Sequence, residues 1–218
     1  MNSTIIFAVV FALLSRHQAA PDIRKAPFDA NGRFWIYHNN KSSMPFIPYG
    51  FMPEEGMPML KIDPNHLDPT LTRGDQACFA AKVTWASPWW VGCAWISGTD
   101  ARTQWWGDGE GGWFYDLSAL KHKAMHFDAR GERGGERIQV KFGILGDKRP
   151  GDSTPFAAES NWLSLSKGYK HYELELNDFT SAQLKRICNG FTFVLKQDNQ
   201  NASNQASTQF YLRSIYVD

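Results

Sequence analysis

Ile138-Gln139-Val140-Lys141-Phe142-Gly143-Ile144 carries a large apolar side chain at every second position. Successive side chains of an extended chain point to opposite faces, so this alternation describes a strand with one face on a core and the other toward water. The same period runs through Met125, Phe127 and Ala129, and through Tyr172, Leu174 and Leu176. Outward from these three segments, short β-type runs separated by Gly, Pro, Asn and Asp occupy residues 34–37, 78–85, 89–97, 124–130, 162–165, 191–197 and 208–217. That spacing predicts an all-β chain, an antiparallel two-sheet β-sandwich. Residues 131–136, Gly-Glu-Arg-Gly-Gly-Glu, read as a polar turn joining two strands. The Pro-rich stretch 45–64 has no helical period and reads as a long ordered loop. The one helical candidate is 180–187.

The chain has 218 residues, enough for one sandwich domain. Its 23 basic residues against 22 acidic ones leave a formal charge of +1, so no basic field exists to collect phosphates, and nucleic acid is not an expected partner. The composition is globular, with 43% hydrophobic and 21% charged residues, and no apolar run reaches the roughly 18 residues of a membrane span. Residues 5–14 are an unbroken apolar block followed by Ser15-Arg16-His17-Gln18 and Ala19-Ala20-Pro21, the length of a secretory h-region. The expected organisation is a signal peptide over 1–20 and a single domain over 21–218. The expected location is secreted, periplasmic or extracellular.

Tryptophan is the unusual residue: there are nine, and Trp85, Trp89, Trp90, Trp95, Trp105, Trp106 and Trp113 fall within one segment. If 78–85 and 89–96 form a hairpin centred on Ala86-Ser87, Cys78 lies opposite Cys93, as a cross-strand bridge or as two buried thiols. The thiols are favoured, because many cross-strand positions lack disulfide geometry. This pairing places Phe79, Ala81, Val83 and Trp85 on one face. It sends Trp90, Gly92, Ala94 and Ile96 toward the core, and leaves Trp89 and Trp95 on the outer surface. Trp105, Trp106 and Trp113 sit among Gly107, Gly109, Gly111 and Gly112, where backbone can approach a ligand closely. Sugar rings present an apolar C–H face that stacks on indole, while their hydroxyls need planar donors and acceptors. His126, Asp128 and Arg130 on one strand, with Gln139 and Lys141 on the next, offer such a polar row. A solvated face with ion pairs, such as Asp128 with Lys141, is the alternative.

Chemistry has weaker support. His122 and His126 are four apart, a helical zinc spacing, but in a strand that is about 13 Å, too far for one ion. Asp108 and Glu110 in the Trp-rich loop are the pair a glycan-active hydrolase or lyase would need, yet a Gly-rich loop holds them poorly.

Three stretches resemble the galactose-binding-like jelly rolls that occur as carbohydrate-binding modules and as accessory domains of polysaccharide-degrading enzymes. They are Pro48-Tyr49-Gly50-Phe51 with Met52-Pro53-Glu54-Glu55, Trp105-Trp106-Gly107 through Gly111-Gly112, and Tyr115-Asp116-Leu117-Ser118-Ala119-Leu120 running into residues 126–136. The tail, residues 210–218, is similar to the closing strand of such modules, and the likeness covers roughly residues 28–218. It implies a β-jelly roll that binds glycans without catalysis, with Trp106 anchoring its loop. It also implies one structural calcium ion, for which Asp75 and Asp218 are the ligands it supports. The family's closing strand often carries an acidic pair where this chain has Arg213-Ser214.

The expectation is therefore a non-catalytic module that binds a polysaccharide or cell-surface glycan through Trp89, Trp95, Trp105, Trp106, Trp113, His126, Asp128, Arg130 and Lys141. The alternatives are a glycan-active enzyme and an extracellular structural or assembly protein that oligomerises through its aromatic residues.

Overall fold

The computed structural model describes residues 22–38, 46–51, 59–85, 90–97, 113–143, 157–187, 189–197 and 206–218. The expected leader lies outside the described residues. The strands are β1 (Asp22–Lys25), β2 (Phe34–Tyr37), β3 (Phe46–Phe51), β4 (Leu60–Leu67), β5 (Ala77–Thr84), β6 (Trp90–Ser97) and β7 (Trp113–Asp116). They continue with β8 (Ala124–Gly131), β9 (Arg137–Gly143), β10 (Ala157–Glu159), β11 (Leu163–Ser164), β12 (Lys170–Glu175), β13 (Asn189–Lys196) and β14 (Ser207–Val217), with the helix α1 (Ser181–Leu184) before β13. Two antiparallel sheets result. Sheet I has the order β10-β9-β13-β6-β3, with β11 also on β9, and sheet II has the order β12-β8-β14-β5-β4, with β2 on the far part of β14. The strands β1 and β7 form a small parallel pair.

Apolar alternation decides which face of each strand turns inward. Ile138, Val140 and Phe142 of β9 and Phe191, Phe193 and Leu195 of β13 meet Phe79, Ala81 and Val83 of β5 and Met125, Phe127 and Ala129 of β8. At the centre Trp95 is 0% exposed, with its ring 4.6 Å from Phe79 and 5.3 Å from Phe191. Trp85 is also buried, and its indole N–H donates to Thr208 Oγ1 at 2.8 Å. The helical candidate is realised as α1, whose Thr180 side chain and Gln183 side chain make a reciprocal capping box.

Two sequence expectations need correction. The strands 78–85 and 89–96 do not pair: β5 lies between β14 and β4 in sheet II, while β6 lies between β13 and β3 in sheet I. The assumed hairpin had fixed the facing of β6, so that facing is reversed. Val91, Cys93 and Trp95 fill the core, and Trp90, Gly92 and Ala94 look outward. Cys78 and Cys93 are both buried thiols, but in separate apolar clusters. Second, the 45–64 stretch is not all loop, because it holds β3 and the start of β4. Both are terminal strands in their sheet orders, and Pro64 falls at the register shift between Asp63 and His66. Edges and bulges are where a residue without N–H is tolerated. Residues 131–136 join two strands as expected, and carry the chain from β8 in sheet II to β9 in sheet I. Gly134 and Gly135 take φ of 83° and 91°, which L side chains rarely adopt, and the Glu136 carboxylate folds back to accept the Arg133 N–H at 2.7 Å.

Candidate carbohydrate-binding face

Two outward faces remain once the core is assigned. On sheet I the outward positions of the central strands are small: Gly92 and Ala94 on β6 stand beside Val194 and Thr192 on β13. On the far side of β13, β9 adds Gln139 opposite Val194 and Lys141 opposite Thr192. Lys141 in turn faces Glu159 of β10, with which it forms an ion pair. On the near side the β3 backbone pairs Tyr49 with Ala94 and Phe51 with Gly92. At one end of the floor stands Trp90, half-buried and opposite Lys196. The five strands span about 19 Å, room for several sugar rings in a row.

Polar groups are set into this floor. A register shift between Asn189 and Phe191 brings Asn189 onto the same face as Thr192, and its amide N–H donates to Thr192 Oγ1 at 2.7 Å. Both residues are 0% exposed, and the Asn189 carboxamide oxygen has no hydrogen-bond partner. Such an oxygen is costly to leave unsatisfied, and it suits a hydroxyl donor. Gln139 is held by its amide N–H donating to Ser160 O at 3.1 Å.

Sheet II carries the polar row expected from β8, but its members are largely engaged with one another. Asp128 and His126 do face outward, His126 toward Asp218 and His171, and Asp128 toward His171 and Arg213. Arg130 is not available to a ligand. It is 5% exposed, its Nε donates to Asp68 Oδ2 at 2.7 Å, and its guanidinium lies 3.9 Å from the Tyr211 ring centroid. Burial by itself would raise the Asp68 carboxyl. The Arg130 and Thr70 hydrogen bonds and the Arg130 charge outweigh that and hold it at about 2. Burial also pushes the Cys78 thiol up to about 11, so it is an inert packing group beside Tyr169.

The expected site residues therefore separate. Trp95 is a core residue, because the large side chains of β6 take the inward face. Lys141 does not neighbour Asp128, because β9 and β8 belong to opposite sheets. Trp89, Trp105, Trp106 and the carboxylates Asp108 and Glu110 lie outside the described residues, as does the Trp113 side chain, whose backbone starts β7. Asp75 is exposed in the β4–β5 turn, and Asp218 Oδ1 is bonded to His126 Nε2. As placed, these two do not assemble the six to eight oxygens calcium takes, and no trio of His, Cys, Asp or Glu among the described residues converges on a metal position. Sequence reasoning missed Trp90, Asn189 and Thr192. Only the facing of β6 and the bulge in β13 could have found them.

On sheet I the side turned away from the shared core thus carries small and polar residues, mostly buried, with a half-buried indole at one end. The family model for carbohydrate binding domain 30 matches residues 52–218, and the chain belongs to that family. It is a carbohydrate-binding domain, as its resemblance to the galactose-binding-like jelly rolls implied. Among solved structures it is similar to the family 30 carbohydrate-binding module of a cellulosomal cellulase of Clostridium thermocellum, at 14% identity, 85% coverage of this chain, 96% of that chain and a TM-score of 0.51. A second family 30 carbohydrate-binding module matches at 15% identity over 85% of this chain and 86% of that chain, with a TM-score of 0.50. No curated protein sequence matches the chain.

Proposed function

We propose that the chain is a secreted module that holds a polysaccharide along the outward face of sheet I and performs no chemistry on it. The observation that carries this reading is the run of small positions on the side of sheet I turned away from the core, ending at a half-buried indole. Gly92 and Ala94 add no bulk to that face, and the half-buried Trp90 offers an indole to a sugar C–H face. The apolar block at 5–14 supports export. No helix among the described residues is long and apolar enough to cross a membrane. The similarity to a module of a cellulase makes cellulose-type β-glucan the first polysaccharide to test.

Trp90→Ala is expected to weaken binding to soluble β-glucan by about tenfold or more, equal to ~1.4 kcal/mol, with melting temperature little changed. Affinity electrophoresis across a polysaccharide panel measures it. Wild-type retardation by every glycan in the variant would remove Trp90 from the site, and no retardation of the wild type by any of them would remove the reading. The calcium implied by the resemblance is tested on the same protein. A structural ion held by residues including Asp75 and Asp218 predicts a melting temperature that falls with chelator and returns with added Ca²⁺. An unchanged melting curve discards it.

A further inference from the structure

Between β10 and β11 the chain runs along β9 with one residue too many. Glu159 lies opposite Lys141 and Leu163 opposite Ile138, so residues 160–162 face only Gln139 and Val140. A bulge of this kind re-aims the side chains beyond it. Ser160 absorbs the extra residue. Its N–H donates to Val140 O at 2.8 Å, and the Val140 N–H donates to Ser160 Oγ at 2.9 Å, where a regular ladder would use the Ser160 carbonyl. That carbonyl is left to accept the Gln139 side-chain N–H at 3.1 Å.

The bulge decides which face Trp162 takes. Strict alternation from Ala158, which packs on the core, would turn Trp162 inward and Leu163 outward. Leu163 instead packs on the core opposite Ile138, so its neighbour Trp162 takes the outward face of sheet I, level with Gln139. The indole is half-buried. Among the described residues it belongs to neither apolar core cluster and makes no hydrogen bond or ring contact.

We infer that Trp162 is a second stacking subsite for a β-glucan chain, at the opposite edge of sheet I from Trp90; the inference rests on the reading of that face as the polysaccharide site. From Trp162 the register runs through Gln139 of β9 and Val194 of β13 to Gly92 of β6, two residues from Trp90. Three strand spacings and two residues along β6 separate the indoles by roughly 16 Å. One sugar ring reaches only one of them, and an oligosaccharide that crosses the strands reaches both. Polar groups for the ring-edge hydroxyls stand beside Trp162. The Gln139 carboxamide is anchored through its N–H to Ser160 and keeps its oxygen as an acceptor, and the Lys141–Glu159 ion pair lies two residues further along β9. A flat apolar ring with planar and charged groups at its margin is the composition that a sugar C–H face and its hydroxyls require.

The test titrates the full chain with cellohexaose and cellobiose by calorimetry. The wild type is expected to bind the longer sugar more tightly, and Trp162→Ala to weaken cellohexaose by about tenfold with the melting temperature of the free protein unchanged. Trp162→Tyr keeps a flat aromatic face and is expected to restore most of the loss. Trp90→Ala and Trp162→Ala are each expected to shrink the advantage of cellohexaose over cellobiose. A Trp162→Ala protein that binds cellohexaose like the wild type overturns the subsite and leaves the role of Trp90 standing. A loss that comes with a fall in melting temperature and that Trp162→Tyr does not restore overturns it too. So does a wild type that cellohexaose does not bind, and the polysaccharide panel then shows whether the reading of the face falls with it.

Discussion

Trp95→Ala is expected to lower the unfolding free energy by about 3–5 kcal/mol, the cost of removing a large aromatic side chain from a packed core. The ring is 0% exposed and touches Tyr37, Phe79, Phe191 and Phe193, so its loss opens a cavity at the junction of both sheets. Neighbours that belong to paired strands cannot collapse far into it. Trp95→Phe is expected to cost much less, since it keeps most of the contacts and removes an indole N–H that has no hydrogen-bond partner. Urea unfolding followed by far-UV circular dichroism measures both. An alanine variant as stable as the wild type would contradict the inward facing of β6.

Arg130→Met is expected to cost a comparable ~3–5 kcal/mol, because it strands the Asp68 carboxylate, 0% exposed, without its buried partner. The Asp68 Oδ1 bonds to the Thr70 N–H and hydroxyl, at 2.9 and 2.7 Å, remain but do not replace a charge. A double variant, Arg130→Met with Asp68→Asn, is expected to lose less than the sum of the single changes.

The same pair sets an acid limb. Asp68 is held at about 2 in the folded chain against an ordinary 3.8, so its contribution, about 2 kcal/mol, is fully present above pH 3.8 and is lost as pH falls toward 2. Acid unfolding of Arg130→Met is expected to begin at higher pH than that of the wild type. Coincident acid transitions would remove the pair as its cause.

The strands themselves were legible in the sequence wherever one face was apolar and the other polar. Ile138, Val140 and Phe142 could only face a core, and Met125, Phe127 and Ala129 likewise, so His126 and Asp128 had to face outward. Strands with mixed faces gave no such signal. In β6 both Trp90 and Trp95 are large, both Gly92 and Cys93 are small, and the choice rested on a guessed hairpin. In β3 and β4 the prolines disguised strands, since a proline argues against a ladder without saying that the strand is an edge.

Local chemistry thus determined that this chain is a β-sandwich with a polar row on β8, because side-chain alternation is a property of each strand alone. Which strands are neighbours depends on contacts between residues far apart in the chain, and only the tertiary structure decided that. It separated Lys141 from Asp128, turned Trp95 into core and Trp90 into surface, and set His171 beside His126. The physical reason is that a two-sheet fold sends some consecutive strands, such as β5 and β6 or β8 and β9, to opposite sheets, so nearness along the chain does not measure nearness across a face.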